Sequence, residues 1–134
     1  MVYKTMMSVY WNYQEDSIMI RRKEDIRIRE VKNAMNGKGT VCFHDWLLPE
    51  EAAGHGRVFS KLVIPPGCSV GYHQHNNEFE AFYVLEGQAT VTDGEETVVL
   101  NEGDMNLCRN GDFHGVENCT DKDLVLMALI MNQL

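Results

Sequence analysis

The chain has 134 residues, a formal net charge of −8 and four cysteines. That length suits one domain with one hydrophobic core, and the acidic balance argues against a nucleic-acid partner, whose phosphates need a basic patch. No apolar run approaches the roughly 20 residues of a membrane span, and the N-terminus has neither the basic nor the apolar region of a signal peptide. A cytoplasmic protein with no membrane partner is therefore expected. Cys42, Cys68, Cys108 and Cys119 form no CxxC pair and are expected to be reduced and buried. Asn118-Cys119-Thr120 matches a glycosylation pattern that carries no meaning without export.

Residues 1–18 mix Met, Tyr and Trp with polar residues and show neither helical nor strand periodicity. Two readings stand: a loosely held leader before a natural start at Met19, or a segment whose Tyr3, Tyr10 and Trp11 pack on the domain or on a partner subunit. The domain itself is expected over 19–134. Within 26–31, Ile26, Ile28 and Glu30 alternate with Arg27, Arg29 and Val31, which predicts an early or edge strand with one charged, solvated face. A turn at 36–39, a short strand at 40–44, an irregular or one-turn segment at 46–51 and a flexible loop at 52–56 follow.

From Arg57 the chain reads as a run of strands. Residues 57–64 alternate, and Pro65-Pro66-Gly67 ends that strand, because a Pro-Pro pair cannot stay in a ladder. Strands are expected next around His73 and His75 and over 80–85. Asp93-Gly94 between 89–92 and 96–99 is the strongest hairpin signal in the chain. After turns at 102–104 and 110–111 and a short strand at 105–108, residues 124–130 form a last strand, apolar on both faces and expected to be buried on both. Many short strands with frequent turn signals predict an all-β sandwich or barrel.

The chemistry concentrates between Gly67 and Gly87. His73 and His75, one residue apart, lie on one face of a strand, because strand side chains alternate with period 2. A carboxylate follows close enough to return beside them across a short hairpin. A two-residue loop at Asn76-Asn77 brings Glu78 opposite His75, and a four-residue loop brings Glu80 there. Imidazole nitrogens with one carboxylate oxygen make a chelating set for a divalent transition metal, and His114 in a second glycine-punctuated stretch can close it. Phe82 and Val84 share the face of Glu80, and with Tyr72 they are candidates for a pocket wall or for plain core. His44 and His55 fall outside the pattern and are read as non-ligands. Cys108 and Cys119 are read as buried apolar fillers.

These residues resemble the two motifs of the cupin family. Gly67, His73, His75, Glu80 and Gly87 fill the fixed positions of the first motif (67–87), and Gly103, Gly111, His114 and Asn118 fit the second (103–118). Arg109 stands where the family usually has proline, which implies a less rigid loop before His114. The resemblance covers about 61–131. It implies a double-stranded β-helix, a jelly roll of two packed antiparallel sheets, and it favours Glu80 over Glu78 as the ligand beside His73, His75 and His114. Glu78 is then a rim residue or an acceptor holding an imidazole N–H.

Three imidazoles and one carboxylate fill four positions, and a six-coordinate Fe, Mn, Zn, Ni or Cu ion keeps two for water or a small molecule. Two functions follow. One is a small metal-dependent enzyme, of the dioxygenase, isomerase or epimerase kinds that cupins include. The other is a non-catalytic small-molecule binding or sensing module. A structural protein with a vestigial site is weaker, because every ligand position is filled. The family's habits also imply a homodimer, formed through the N-terminal strands and the outer sheet.

Overall fold

The computed structural model describes residues 20–134, and both readings of 1–18 and of the start at Met19 lie outside the described residues. Ten strands are present among them: β1 (Arg27–Lys32), β2 (Thr40–Leu47), β3 (Gly56–Ile64), β4 (Ser69–Gln74), β5 (Glu78–Glu86), β6 (Ala89–Asp93), β7 (Glu96–Leu100), β8 (Met105–Cys108), β9 (Phe113–Glu117) and β10 (Leu124–Asn132). They form a six-stranded sheet in the order β1-β2-β3-β10-β5-β8 and a four-stranded sheet in the order β4-β9-β6-β7. All the pairings are antiparallel. The only helical pieces described are single 3-10 turns at Lys23–Asp25, Ala34–Asn36 and Pro49–Ala52. The all-β jelly roll expected from the sequence is therefore the observed fold.

The sheets pack face to face because alternate residues of each are apolar. Leu62, Ile64, Val84, Leu124 and Leu126 from the larger sheet meet Val70, Val91 and Val116 from the smaller. The period of 2 is cleanest in β10, where Leu124, Leu126, Ala128 and Ile130 are buried. Its other face, with Val125, Met127, Leu129 and Met131, is only half-buried, so the expectation of burial on both faces is corrected. β10 sits mid-sheet, flanked by β3 and β5, and that position sets its apolar character on the outer side as well.

Three local expectations also change. β2 runs on through Trp46 and Leu47 before the 3-10 turn, because Trp46 packs edge-on to Phe59 with ring centroids 5.1 Å apart. The cysteines are all free, but only Cys108 is buried; Cys119 is exposed, so it is no core filler. The charged face of β1 is only partly solvated, with Arg27 and Arg29 keeping 44 % and 37 % of their side-chain surface exposed. Arg27 and Arg29 both turn toward Asp45, which is 2 % exposed.

Asp45 is the chief polar anchor of this sheet. Arg27 Nε and Arg29 Nε each donate to it at 2.7 Å, Arg29 Nη2 at 2.9 Å and the Ser60 hydroxyl at 2.6 Å. Burial alone pushes the Asp45 carboxyl up, but the bonds from Arg29, Ser60 and Arg27 outweigh it and hold the carboxyl at about 2. A second polar clasp closes the opposite end of the barrel. Asn118, fully buried, donates to the carbonyls of Ile64 and Lys122 at 2.8 and 2.6 Å and accepts from Thr120. Its amide is spent on structure, which accounts for its place in the second motif.

Asp45 gives a sign-defined pH dependence. Its folded-state affinity for protons is depressed, so its contribution is full above the ordinary aspartate range near pH 4 and disappears as pH falls toward 2. Asp45→Asn is expected to cost about 2 kcal/mol at pH 7, with the gap to the unmodified protein closing between pH 4 and pH 2. Urea unfolding across that range checks it, and a gap independent of pH contradicts it.

Candidate metal centre

Strand pairing, not a hairpin, assembles the centre. β4 and β5 lie in different sheets, so neither expected loop geometry holds. His73 instead pairs with His114 across β4 and β9, and both turn their rings into the barrel. His75 stands just past β4, its backbone held by an N–H to Asp112 O at 3.1 Å and a carbonyl accepting from Gly111 N at 2.7 Å. Glu80 comes from the facing sheet, on β5 opposite Cys108. The four donor atoms lie within 4.8 Å of one another. His75, Glu80 and His114 are buried, and His73 is nearly so. His44 and His55 take no part in the cluster.

The rings all present the same edge. His75 Nε2 is 3.0 Å from His73 Nε2, 3.2 Å from His114 Nε2 and 2.9 Å from Glu80 Oε1. His114 Nε2 is also 2.9 Å from Glu80 Oε1, and His73 Nε2 lies 3.8 Å from it. Each Nδ1 is tied outward to an acceptor: His73 to Gly71 O at 2.7 Å, His75 to Glu78 Oε2 at 2.6 Å and His114 to Asn106 Oδ1 at 2.7 Å. A carbonyl, a carboxylate and an amide oxygen can only accept, so each Nδ1 carries the proton and each Nε2 is left with a lone pair.

Three lone pairs and a carboxylate oxygen facing one another in a buried site repel unless positive charge stands between them. Nitrogen–metal distances of about 2.1 Å at right angles put neighbouring donors about 3.0 Å apart, and the 2.9–3.2 Å separations fit that spacing. The residues therefore suit a divalent ion. The electrostatics agree. Burial pushes the Glu80 carboxyl up, but the imidazoles of His114, His73 and His75 outweigh it and keep it well below the usual carboxylate range. Burial lowers the His75 imidazole, and Glu80 and Glu78 together more than reverse that.

Several supports were not singled out in the sequence. Asn106 is the inward residue of β8 between exposed Met105 and Leu107, and its Nδ2 donates to Asp93 at 3.4 Å, which fixes the amide's orientation toward His114. A lone polar residue on the inner face of an apolar strand was the available signal. Arg57 holds Glu78 by two bonds, 2.9 and 2.8 Å, so Arg57, Glu78 and His75 form one chain. Phe82 stacks on His114 at 4.8 Å, nearly parallel.

Arg109, in the proline position, is not simply a looser joint. The backbone N–H that proline would lack donates to Asp112 Oδ2 at 3.3 Å, and its side chain reaches the same oxygen at 3.1 Å. Tyr72 points away from the site and stacks on Phe113 at 5.4 Å, and Val84 belongs to the core; neither lines the cavity. Burial, with Asp112 and Glu80 nearby, pushes the Cys108 thiol up to about 12, and Cys108 is not among the clustered donors.

A cavity of about 200 Å³ opens on the centre, with His73, His75 and Glu80 in its wall. Phe82, Val70, Leu62, Val58, Phe43 and Ile130 supply most of the remaining surface, with Arg29 and Arg57 at its side.

Known proteins place this arrangement. The model of the family described as "Cupin domain" matches residues 60–130, more than half of the chain. The chain is a cupin. It is 33 % identical over 118 residues to the oxalate-binding protein of Thermotoga maritima, covering 88 % of this cupin and 98 % of that protein. The crystal structure of a predicted oxalate decarboxylase from Thermotoga maritima superposes with a TM-score of 0.80 at 33 % identity, covering 85 % of this cupin and 99 % of that chain. KdgF from Halomonas sp. shares the fold, with a TM-score of 0.66 at 14 % identity, over 84 % of this cupin and 93 % of its own chain. Among the described residues no helix is long and apolar enough to cross a membrane.

The tautomers are directly checkable. In metal-free protein held above the imidazole titration range, nitrogen-15 spectra are expected to report Nδ1–H for His73, His75 and His114. An Nε2–H form at any of the three contradicts the hydrogen-bond assignment.

Proposed function

We propose that this cupin holds one divalent transition metal ion through His73, His75, Glu80 and His114 and uses it to bind a small chelating carboxylic acid. The observation that carries the binding reading is the chemistry of the cavity wall. Apart from the donor set, the ionisable groups lining it are Arg29 and Arg57, and each already holds a carboxylate, Asp45 and Glu78. Among the described residues, no acid or base there stands ready to move a proton. When bound, the ion supplies a Lewis-acidic centre with open positions for the acid's oxygens. The chain's own residues do the rest. Gly71, Glu78 and Asn106 fix the three rings, Arg57 fixes Glu78, and the apolar wall offers hydrocarbon surface to the ligand.

The likeness to the oxalate-binding protein supports a small carboxylate as the ligand class. Mixed nitrogen and oxygen donors suit Fe, Mn, Zn, Ni or Cu without choosing among them. An enzymatic role is the second reading, favoured by the open positions on the ion and by the predicted decarboxylase of Thermotoga maritima.

We also propose a homodimer through the outer face of the larger sheet. Met105, Tyr83, Met127, Lys61, His44 and Ile28 form one row across all six strands. Lys61 is the lone full charge in that row. Met105 is 52 % exposed and Ile28 57 %, more large apolar surface than water favours on one sheet face.

Protein prepared without nickel resin is expected to contain near-stoichiometric metal and to bind oxalate saturably without consuming oxygen or releasing product. Turnover with oxalate would move the conclusion to the enzymatic reading. Asn106→Leu and Glu78→Gln are each expected to weaken metal affinity about 10–100-fold while leaving the fold intact, measured by chelator competition. Unchanged affinity in both contradicts the role given to those supports. Light scattering should return a dimer that Tyr83→Glu with Met105→Glu splits; a monomeric unmodified protein overturns that part.

A further inference from the structure

The cavity is larger and greasier than a bare two-carbon diacid requires. Its volume of about 200 Å³ equals the space of roughly six or seven waters, and an oxalate on the ion replaces only those at the donor end. The rest of the wall is one-sided. Val31 on β1, Phe43 on β2 and Val58 and Leu62 on β3 face it, and these strands lie on the side of the sheet away from β8. β3 is two strands from β5, which carries Glu80, and β2 is three. At about 4.8 Å per strand, the apolar end lies about 10–14 Å from the donor end.

Charge points the same way. A divalent ion against the single Glu80 carboxylate leaves one positive charge, which one ligand carboxylate neutralises. A second carboxylate would need a cation of its own. Of the two arginines in the wall, Arg57 is held by Glu78 in a two-point pair, while Arg29 spends Nε and Nη2 on Asp45, which it shares with Arg27, and its guanidinium lies over the Phe43 ring at 4.6 Å from the centroid, beside rather than at the Val58–Leu62 end. At the far end a carboxylate would meet Val58, Leu62 and Phe43 and lose its hydration without replacement. An alkyl group there gains burial.

We infer that the ligand this pocket fits best is a monocarboxylic acid that chelates through an adjacent oxo or hydroxyl oxygen and carries an apolar tail, seated between Val58, Leu62 and Phe43. This rests on the proposed reading of the centre as a metal site for chelating acids. The carboxylate and its neighbouring oxygen take two adjacent open positions on the ion, and the tail runs along the inner face of β3 and β2.

The test is a calorimetric titration of the metal-loaded full chain with oxalate, pyruvate, 2-oxobutyrate, 2-oxopentanoate and 4-methyl-2-oxopentanoate. Affinity should rise about fourfold per added methylene along the oxo-acid series, and the longest members should bind more tightly than oxalate. Val58→Phe, which fills the apolar end, should abolish that gain while oxalate still binds saturably, with a retained cooperative melt showing that the variant is folded. A flat series, or oxalate as the tightest ligand, overturns this inference and leaves the acid-binding reading standing. Failure of every acid, oxalate included, to bind the metal-loaded protein overturns both.

Discussion

The centre of this protein depends on one electrostatic constraint. Three imidazole lone pairs and a carboxylate oxygen are aimed at a common point at the buried end of the cavity. In isolation such a set would turn its rings or take up protons. It is prevented from turning because every Nδ1 is tied outward, to Gly71 O, Glu78 and Asn106. Those acceptors sit on three separate elements, β4, the start of β5 and β8. The jelly roll thus supplies more than a container. Bringing β4 and β9 of one sheet over β5 and β8 of the other places donors and supports together, and no single strand or hairpin could do so.

The supports are themselves anchored by charge. Glu78 is held by Arg57, whose guanidinium keeps that carboxyl below its usual range despite partial burial. Asp93 orients Asn106. The same economy recurs at Asp45, where two arginines and a serine surround a buried carboxylate. As a consequence Arg57 is no free anion hook, and Arg29 has Nε and Nη2 turned to Asp45. What distinguishes the donor end from the rest of the wall is then the proposed ion, and what distinguishes the other end is its hydrocarbon surface.

Much of this was legible in the residues. The spacing of His73, His75, Glu80 and His114 and the turn glycines at Gly67, Gly87, Gly103 and Gly111 marked both the fold and the cluster, because strand alternation is a local property. What failed was non-local. Whether β4 and β5 share a sheet depends on all ten strands, so a hairpin was expected where the chain crosses between sheets. The inward turn of Arg27 and Arg29 could not be read without knowing that Asp45 lies opposite Arg27 and beside Arg29. Asn106 looked like an ordinary strand residue until His114 was placed next to it. Tyr72 sat beside a ligand in sequence and so pointed to the opposite face, as period 2 requires.

The most direct measurement is X-ray absorption at the edge of whichever transition metal accompanies protein purified without nickel resin. The expected spectrum has a first shell of nitrogen and oxygen only, near 2.0–2.2 Å, with the outer-shell scattering of three imidazoles. A sulfur shell at about 2.3 Å, or fewer than three imidazoles on the ion, would contradict the centre described for His73, His75, Glu80 and His114.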